Sequence, residues 1–290
     1  MSETTVPISA AAAGDFRIAG DLPVARLGYG SMQLPGANAF GPTRDAENAR
    51  RVLRRAVELG VTLIDTADAY GPEVAETLIG EALSPYPDEL VVATKGGFVR
   101  GSRGEWIVNG QPEHLRAAVR GSLRRLRMDR IDLYQLHRVD PHVPLADQIG
   151  ALAELRDEGL ILHIGLSEVT VDQLREAERI APIVTVQNRY NLADRSSEEL
   201  VRHTAERGIG FIPWFPLATG GLTHPTGPLG AMAQRTGASP SQLALAWLLQ
   251  HSPNILPIPG TASAAHLEEN VLAAELELSA GDVAILDGAA

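Results

Sequence analysis

The chain has 290 residues, 25 of them basic and 36 acidic, for a formal net charge of −11. That charge speaks against nucleic acid and anionic membrane surfaces as partners, since both repel an acidic protein at long range. With no cysteine there are no disulfides, thiolate metal sites or cysteine nucleophiles, and an apolar fraction of 44 % suffices to bury a sizeable core.

In chain order, residues 1–14 carry no basic residue and no apolar core. They read as a frayed leader on a cytoplasmic protein, not a secretory signal. Residues 15–24, with apolar pairs on either side of Gly20, read as a small hairpin able to plug one end of a barrel. Eight short β-branched or apolar runs follow, at 26–30, 61–64, 90–94, 131–136, 160–166, 182–186, 209–213 and 254–259. Between them lie stretches with helical spacing of apolar residues, at 44–59, 112–126, 145–158, 171–180, 197–207 and 241–250. Glycine often ends these helices, as at Gly60, Gly159 and Gly208. No apolar run approaches the roughly 20 residues that a spanning helix needs.

Strand–helix alternation implies parallel strands joined by right-handed crossovers. Eight such units predict an α/β fold, a (β/α)8 TIM barrel in one domain, with the hairpin ahead of it. A doubly wound sheet is the rival, but Gly28-Tyr-Gly30 continues as Ser-Met-Gln, so the dinucleotide fingerprint fails.

A barrel of this kind gathers its chemistry at the C-terminal strand ends. The residues there are Gly30 and Ser31, Asp65 with Tyr70 shortly after, Lys95, His137, Ser167 and Glu168, Gln187 and Asn188, Trp214 and Phe215, and Gly260 and Thr261. Lys95 is the only lysine beside 24 arginines. An amine lowers its pKa and offers a compact charge in ways a guanidinium does not. A lysine beside Tyr70 would favour phenolate, and a carboxylate at Asp65 would orient that lysine. A neutral imidazole at His137 would polarise a carbonyl oxygen. Together the four suit carbonyl reduction.

In this order and spacing the segments Ile64-Asp-Thr-Ala-Asp-Ala-Tyr70-Gly, Val92-Ala-Thr-Lys95, Asp132-Leu-Tyr-Gln-Leu-His137, His163-Ile-Gly-Leu-Ser167, Val186-Gln187 and Ile258-Pro-Gly-Thr-Ala-Ser resemble the aldo-keto reductase family over almost the whole chain. Residues 37–43, 214–217 and 246–261 are similar to its bacterial pyridoxal reductase-like subgroup. The resemblance implies a barrel that binds NADPH without a Rossmann fold and reduces an aldehyde or ketone, with pyridoxal or another aromatic aldehyde as the suggested substrate. It makes Tyr70 the general acid, Lys95 and Asp65 its tuning pair, and His137 the group that orients the carbonyl. It gives the nicotinamide carboxamide to Ser167 and Gln187, with Glu168 beside them able only to accept from its NH2. Trp214 falls where the family has its ring-stacking aromatic. Phe215 and Pro216 belong to the cofactor-binding set, and the segment from Leu217 to residue 222 would cover the pyrophosphate. Gly260, Thr261, Ser263, His266, Glu269 and Asn270 hold the adenosine end.

Two departures stand out. Glu168 replaces a usual asparagine, and an ionised carboxylate only accepts hydrogen bonds. His266 stands where many members have the arginine that grips the 2′-phosphate, which leaves NADH possible. Met32, Phe40 and Trp106 are the expected pocket wall, and no metal site is expected. Two other functions compete: a Schiff-base lyase using Lys95, and a nicotinamide-sensing regulatory subunit. The expected partner is a small carbonyl compound.

Overall fold

A computed structural model describes residues 8–217 and 228–288. Ser9 caps a single 3-10 turn at Ala10–Ala13, Ala10 is buried, and its N–H donates to Leu59 O at 2.8 Å. This corrects the expected leader for residues 8–14, where the buried Ala10 and a satisfied backbone bond hold the chain against the barrel.

Strands β1 (Asp15–Ile18) and β2 (Leu22–Ala25) pair antiparallel, as the hairpin reading required. Ile18 and Val24 pack in one cluster with Leu63, Val91, Ala93, Leu133, Val184, Ile212, Leu256 and Ile258, which come from several of the expected barrel strands. The hairpin therefore stoppers the barrel with apolar side chains.

The barrel strands are β3 (Tyr29–Gly30), β4 (Leu63–Asp65), β5 (Val91–Gly96), β8 (Ile131–Leu136), β9 (Ile161–Ser167), β10 (Ile183–Gln187) and β11 (Gly210–Phe211). All seven pair in parallel, in the order β11-β10-β9-β8-β5-β4-β3. Residues 254–259 close the ring, although no regular strand forms there. Phe211 bridges Ile255 on one side, and Gly30 bridges Gly260 on the other. Gly28 N and Gly30 N donate to Pro257 O and Pro259 O. The two prolines have no N–H to return, so the eighth segment accepts along this seam without completing a ladder.

The expected helices form as α1 (Ala46–Glu58), α3 (Pro112–Leu126), α4 (Leu145–Asp157), α5 (Val171–Glu178), α6 (Glu198–Glu206) and α8 (Pro240–His251). Asp45, Thr170 and Ser239 cap α1, α5 and α8 through their side chains. Further helices are α2 (Val74–Leu83), α7 (Pro228–Thr236), α9 (Ala264–Leu272) and α10 (Ala280–Asp287). A second hairpin, β6 (Phe98–Arg100) with β7 (Trp106–Val108), rises beyond β5. Among the described residues no helix is long and apolar enough to cross a membrane.

Candidate active site

Parallel pairing aligns the strand ends, so Asp65, Lys95, His137, Ser167 and Gln187 emerge at the same rim from β4, β5, β8, β9 and β10. Lys95 Nζ donates to Asp65 Oδ1 at 2.6 Å, to Thr66 O at 2.9 Å and to Tyr70 Oη at 3.4 Å. Asp65 Oδ2 accepts from Gln187 Nε2 at 2.9 Å and from Gln135 Nε2 at 3.1 Å. Gln135 is a supporting residue that sequence reasoning missed, although it lies two residues before His137 on β8. The His137 imidazole meets the Tyr70 ring edge-on, with centroids 5.9 Å apart.

Burial shapes the electrostatics. It pushes the Tyr70 phenol above its usual value, and Lys95 pulls the other way without winning. The expected net lowering of that phenol is thus not present in the protein alone. Burial also pulls on Lys95, but Asp65 and Tyr70 more than offset it and hold the ammonium above its ordinary range. That opposes a Schiff-base nucleophile, which needs a free amine. Burial, then Lys95, Arg138 and Arg100, hold His137 well below the usual histidine range, so its imidazole is neutral.

These groups face a cavity of about 520 Å³. Asp65, Tyr70, His137 and Arg138 form its polar floor, and Met32, Phe98 and Trp106 form one wall. Trp106 stands edge-on to Tyr70, Phe98 and His137. Phe40 is not in the wall, contrary to expectation. Its backbone bridges Gly71, and its ring lies against Gly104 and 5.1 Å from the Arg100 guanidinium. Phe98 and Arg138 were missed, because hairpin geometry selects the first and rotamer the second. The place of Arg138, directly after His137, was the available signal.

Comparison with known proteins gives the family. The aldo/keto reductase family model matches residues 26–290. The chain belongs to the aldo/keto reductase family. It is 48 % identical to pyridoxine 4-dehydrogenase of Escherichia coli over 276 residues, 93 % of this chain and 96 % of that protein. It is also 48 % identical to an uncharacterized oxidoreductase of Schizosaccharomyces pombe, over 99 % of this chain and 94 % of that one. A Klebsiella pneumoniae aldo/keto reductase solved with NADP and acetate superposes with a TM-score of 0.81 at 28 % identity, covering 94 % of each chain.

As a member of the aldo/keto reductase family the chain is an NADP-dependent oxidoreductase, and the donor set suits a nicotinamide carboxamide. Ser167 Oγ accepts from Arg138, which leaves its O–H to donate. Gln187 gives its NH2 to Asp65, which leaves its carbonyl to accept. Gly30, Trp214, Phe215, Pro216, Leu217 and Gly260 line the same cavity, whereas residues 218–222 of the expected cover lie outside the described residues. Ser31 is buried and off the lining. Glu168 is also off the lining: its Oε1 accepts from Trp214 Nε1 at 2.5 Å and Arg189 N at 2.7 Å, so it anchors the tryptophan. Beyond Gly260, Thr261, Ser263, His266, Glu269 and Asn270 lie on or just before α9, outside the cavity lining. Ser263 caps α9, whose N-terminus carries the partial positive charge an anion seeks. His266 is exposed there. Tyr190 packs in the core against Trp247 and Phe211.

Proposed function

We propose that the chain is an NADPH-dependent reductase of small aldehydes and ketones, with pyridoxal and related aromatic aldehydes as its substrate class. One observation carries the reading: the buried run Asp65–Lys95–Tyr70 ends at a phenol beside a neutral imidazole, on the floor of a cavity with aromatic walls. The pyridoxine dehydrogenase relative and the aromatic wall support the substrate class. The bound NADP of the Klebsiella relative, and the fit of Ser167 and Gln187, support the cofactor.

NADPH, when bound, supplies the hydride. The remaining work falls to this chain. His137 donates a hydrogen bond to the carbonyl oxygen and polarises it while staying uncharged. Tyr70 holds the proton that the oxygen takes as the alcohol forms. Lys95 stabilises the phenolate left behind, and Asp65 keeps Lys95 charged and aimed. Trp106 and Phe98 exclude water from the reacting carbon.

The test is NADPH oxidation with pyridoxal, repeated with NADH and with Tyr70→Phe. We expect turnover with NADPH, weaker turnover with NADH, and a loss of at least about a hundredfold in kcat for Tyr70→Phe. Full activity in that variant would end the proton-donor assignment.

A further inference from the structure

Among the described residues, Arg138 is the one permanently charged cation in the cavity wall. The two hydrogen bonds it makes go to neutral acceptors, His137 O at 2.7 Å and Ser167 Oγ at 3.0 Å. No carboxylate among the described residues lies within ion-pair distance of it. The other charges nearby are spoken for. Asp65 is paired with Lys95. Glu168, the acid that acts on Arg138 most strongly through space, is held away from it, its Oε1 bound to Trp214 Nε1 and the Arg189 backbone N–H. The guanidinium thus faces the cavity partly stripped of water and with no anion in contact, which is costly unless one completes it.

The cation also lies close to the reacting centre. One ring, Phe98, has its centroid 4.8 Å from the His137 imidazole and 5.7 Å from Arg138 Cζ. Trp214 lies 6.0 Å from Arg138 Cζ on the cofactor side. By the family resemblance the cofactor would not supply the missing anion at this spot. Its nicotinamide is neutral before hydride transfer and positive after it, and its phosphates would lie toward residues 217–222 and α9.

We propose that Arg138 is an anion subsite for the substrate, so that the chain favours carbonyl compounds carrying a carboxylate or phenolate near the reacting carbonyl. This rests on the reductase reading and narrows its substrate class. A planar guanidinium pairs with such an oxyanion through directed N–H bonds, which fixes the orientation of the aldehyde as well as its affinity. Pyridoxal meets the requirement, since its ring hydroxyl sits beside the aldehyde and ionises readily.

The experiment measures kcat/KM with NADPH for ortho-, meta- and para-formylbenzoate and for their methyl esters, which keep the skeleton and lose the charge. In the wild type, at least one acid should be preferred over its ester by about tenfold or more, mainly through KM. Arg138→Gln should bring that ratio close to one, and Arg138→Lys should restore part of it. Added salt should shrink the ratio in the wild type. Turnover of the esters with a ratio at or below one for every isomer overturns the subsite and leaves the reductase reading standing. A ratio that survives Arg138→Gln also overturns it, and weakened NADPH quenching of tryptophan emission in that variant would then assign Arg138 to the cofactor. If no aldehyde oxidises NADPH, both readings fall.

Discussion

Lys95 Nζ meets Asp65 Oδ1 at 2.6 Å with both side chains closed off from solvent. A buried pair of this kind is weak evidence for stability, because desolvation offsets most of the attraction, yet breaking it strands a charge. Lys95→Met leaves the Asp65 carboxylate with only two amide donors and should cost roughly 3–5 kcal/mol of unfolding free energy. Urea unfolding at neutral pH measures it. Because the folded Lys95 value lies above the unfolded one, the contribution is present in full below pH 10.5 and is lost as pH rises from there through the folded value. A Lys95→Met variant as stable as the wild type would mean that the pair adds nothing net to the fold.

The rate should follow Tyr70 and ignore His137. Tyr70 must keep its proton to act as an acid, and burial holds its value above 10.0. Its loss of function therefore belongs above pH 10.0. His137 is held well below 6.5, so no limb should appear near pH 6.5 as the imidazole would be neutral throughout that range. A profile of kcat/KM against pH for aldehyde reduction checks both. A limb centred near pH 6.5 that vanishes in His137→Asn would contradict the neutral imidazole.

The legible part of this protein is the part set by local periodicity. The apolar spacing predicts a helix over 112–126, and α3 spans Pro112–Leu126, with proline in the first turn where its missing N–H costs nothing. The strand ends announce Asp65, Tyr70, Lys95 and His137, because a barrel puts those positions on one rim whatever the loops do. The β6–β7 hairpin is not legible. Residues 98–108 hold two glycines and three charges around Trp106, which reads as loop; its order comes from Arg100, through contacts with residues up to 62 positions away. Phe40 fails for the same reason, since loop packing decides which face of an aromatic meets the cavity. The pairing of Gln135 and Gln187 to Asp65 is hidden because uncharged side chains carry no periodic signal.

Arg100 is the bolt of that hairpin. Its Nη1 donates to Ala39 O at 2.8 Å and Ala69 O at 2.9 Å, and its Nη2 to Gly104 O at 3.0 Å and Asn38 O at 3.3 Å. Its Cζ lies 3.7 Å from the Trp106 ring centroid. Three chain segments and one pocket wall therefore share a single guanidinium. Lysine keeps the charge but offers one point of attachment and no plane to stack. Arg100→Lys should raise KM for aromatic aldehydes by about tenfold, consistent with loss of a cation–π contact and the wall it holds. It should change KM for a small aliphatic aldehyde much less and shift the tryptophan emission. Equal effects on both aldehydes would point to general loosening of the site.

Asp68 makes stability depend on pH. Burial, then the charge on Glu76, raises its carboxyl to about 8, and its Oδ1 is buried without a partner. The unfolded chain has released this proton by about pH 4, whereas the folded chain keeps it up to about pH 8. The folded state binds more protons in that window, so stability falls as pH rises through it and levels off above. Asp68→Asn should remove that slope and unfold at higher temperature than the wild type at about pH 9, where a buried charge would otherwise form. Parallel melting curves for the two proteins from about pH 5 to pH 9 would refute the assignment.

The seam that closes the barrel depends on glycine. A Cβ at Gly30 would stand 2.6 Å from Ile258 O, and one at Gly260 would stand 2.8 Å from Gly30 O. Both neighbours are backbone atoms, so relief requires the strands to part. On the β3 side residues 257 and 259 only accept, since Pro257 and Pro259 donate nothing across the gap. Gly30→Ala should therefore destabilise the fold by about 1–3 kcal/mol, the usual cost of overpacking. Gly30 also lines the cavity, so NADPH binding should weaken with it. Gly150, inside α4, is the control, because a methyl added there would have no neighbour within 4 Å. Gly150→Ala should stabilise by up to about 1 kcal/mol, as alanine does in an open helix position. If urea unfolding shows the two substitutions moving stability the same way, the closure of the barrel does not rest on the close approach at Gly30.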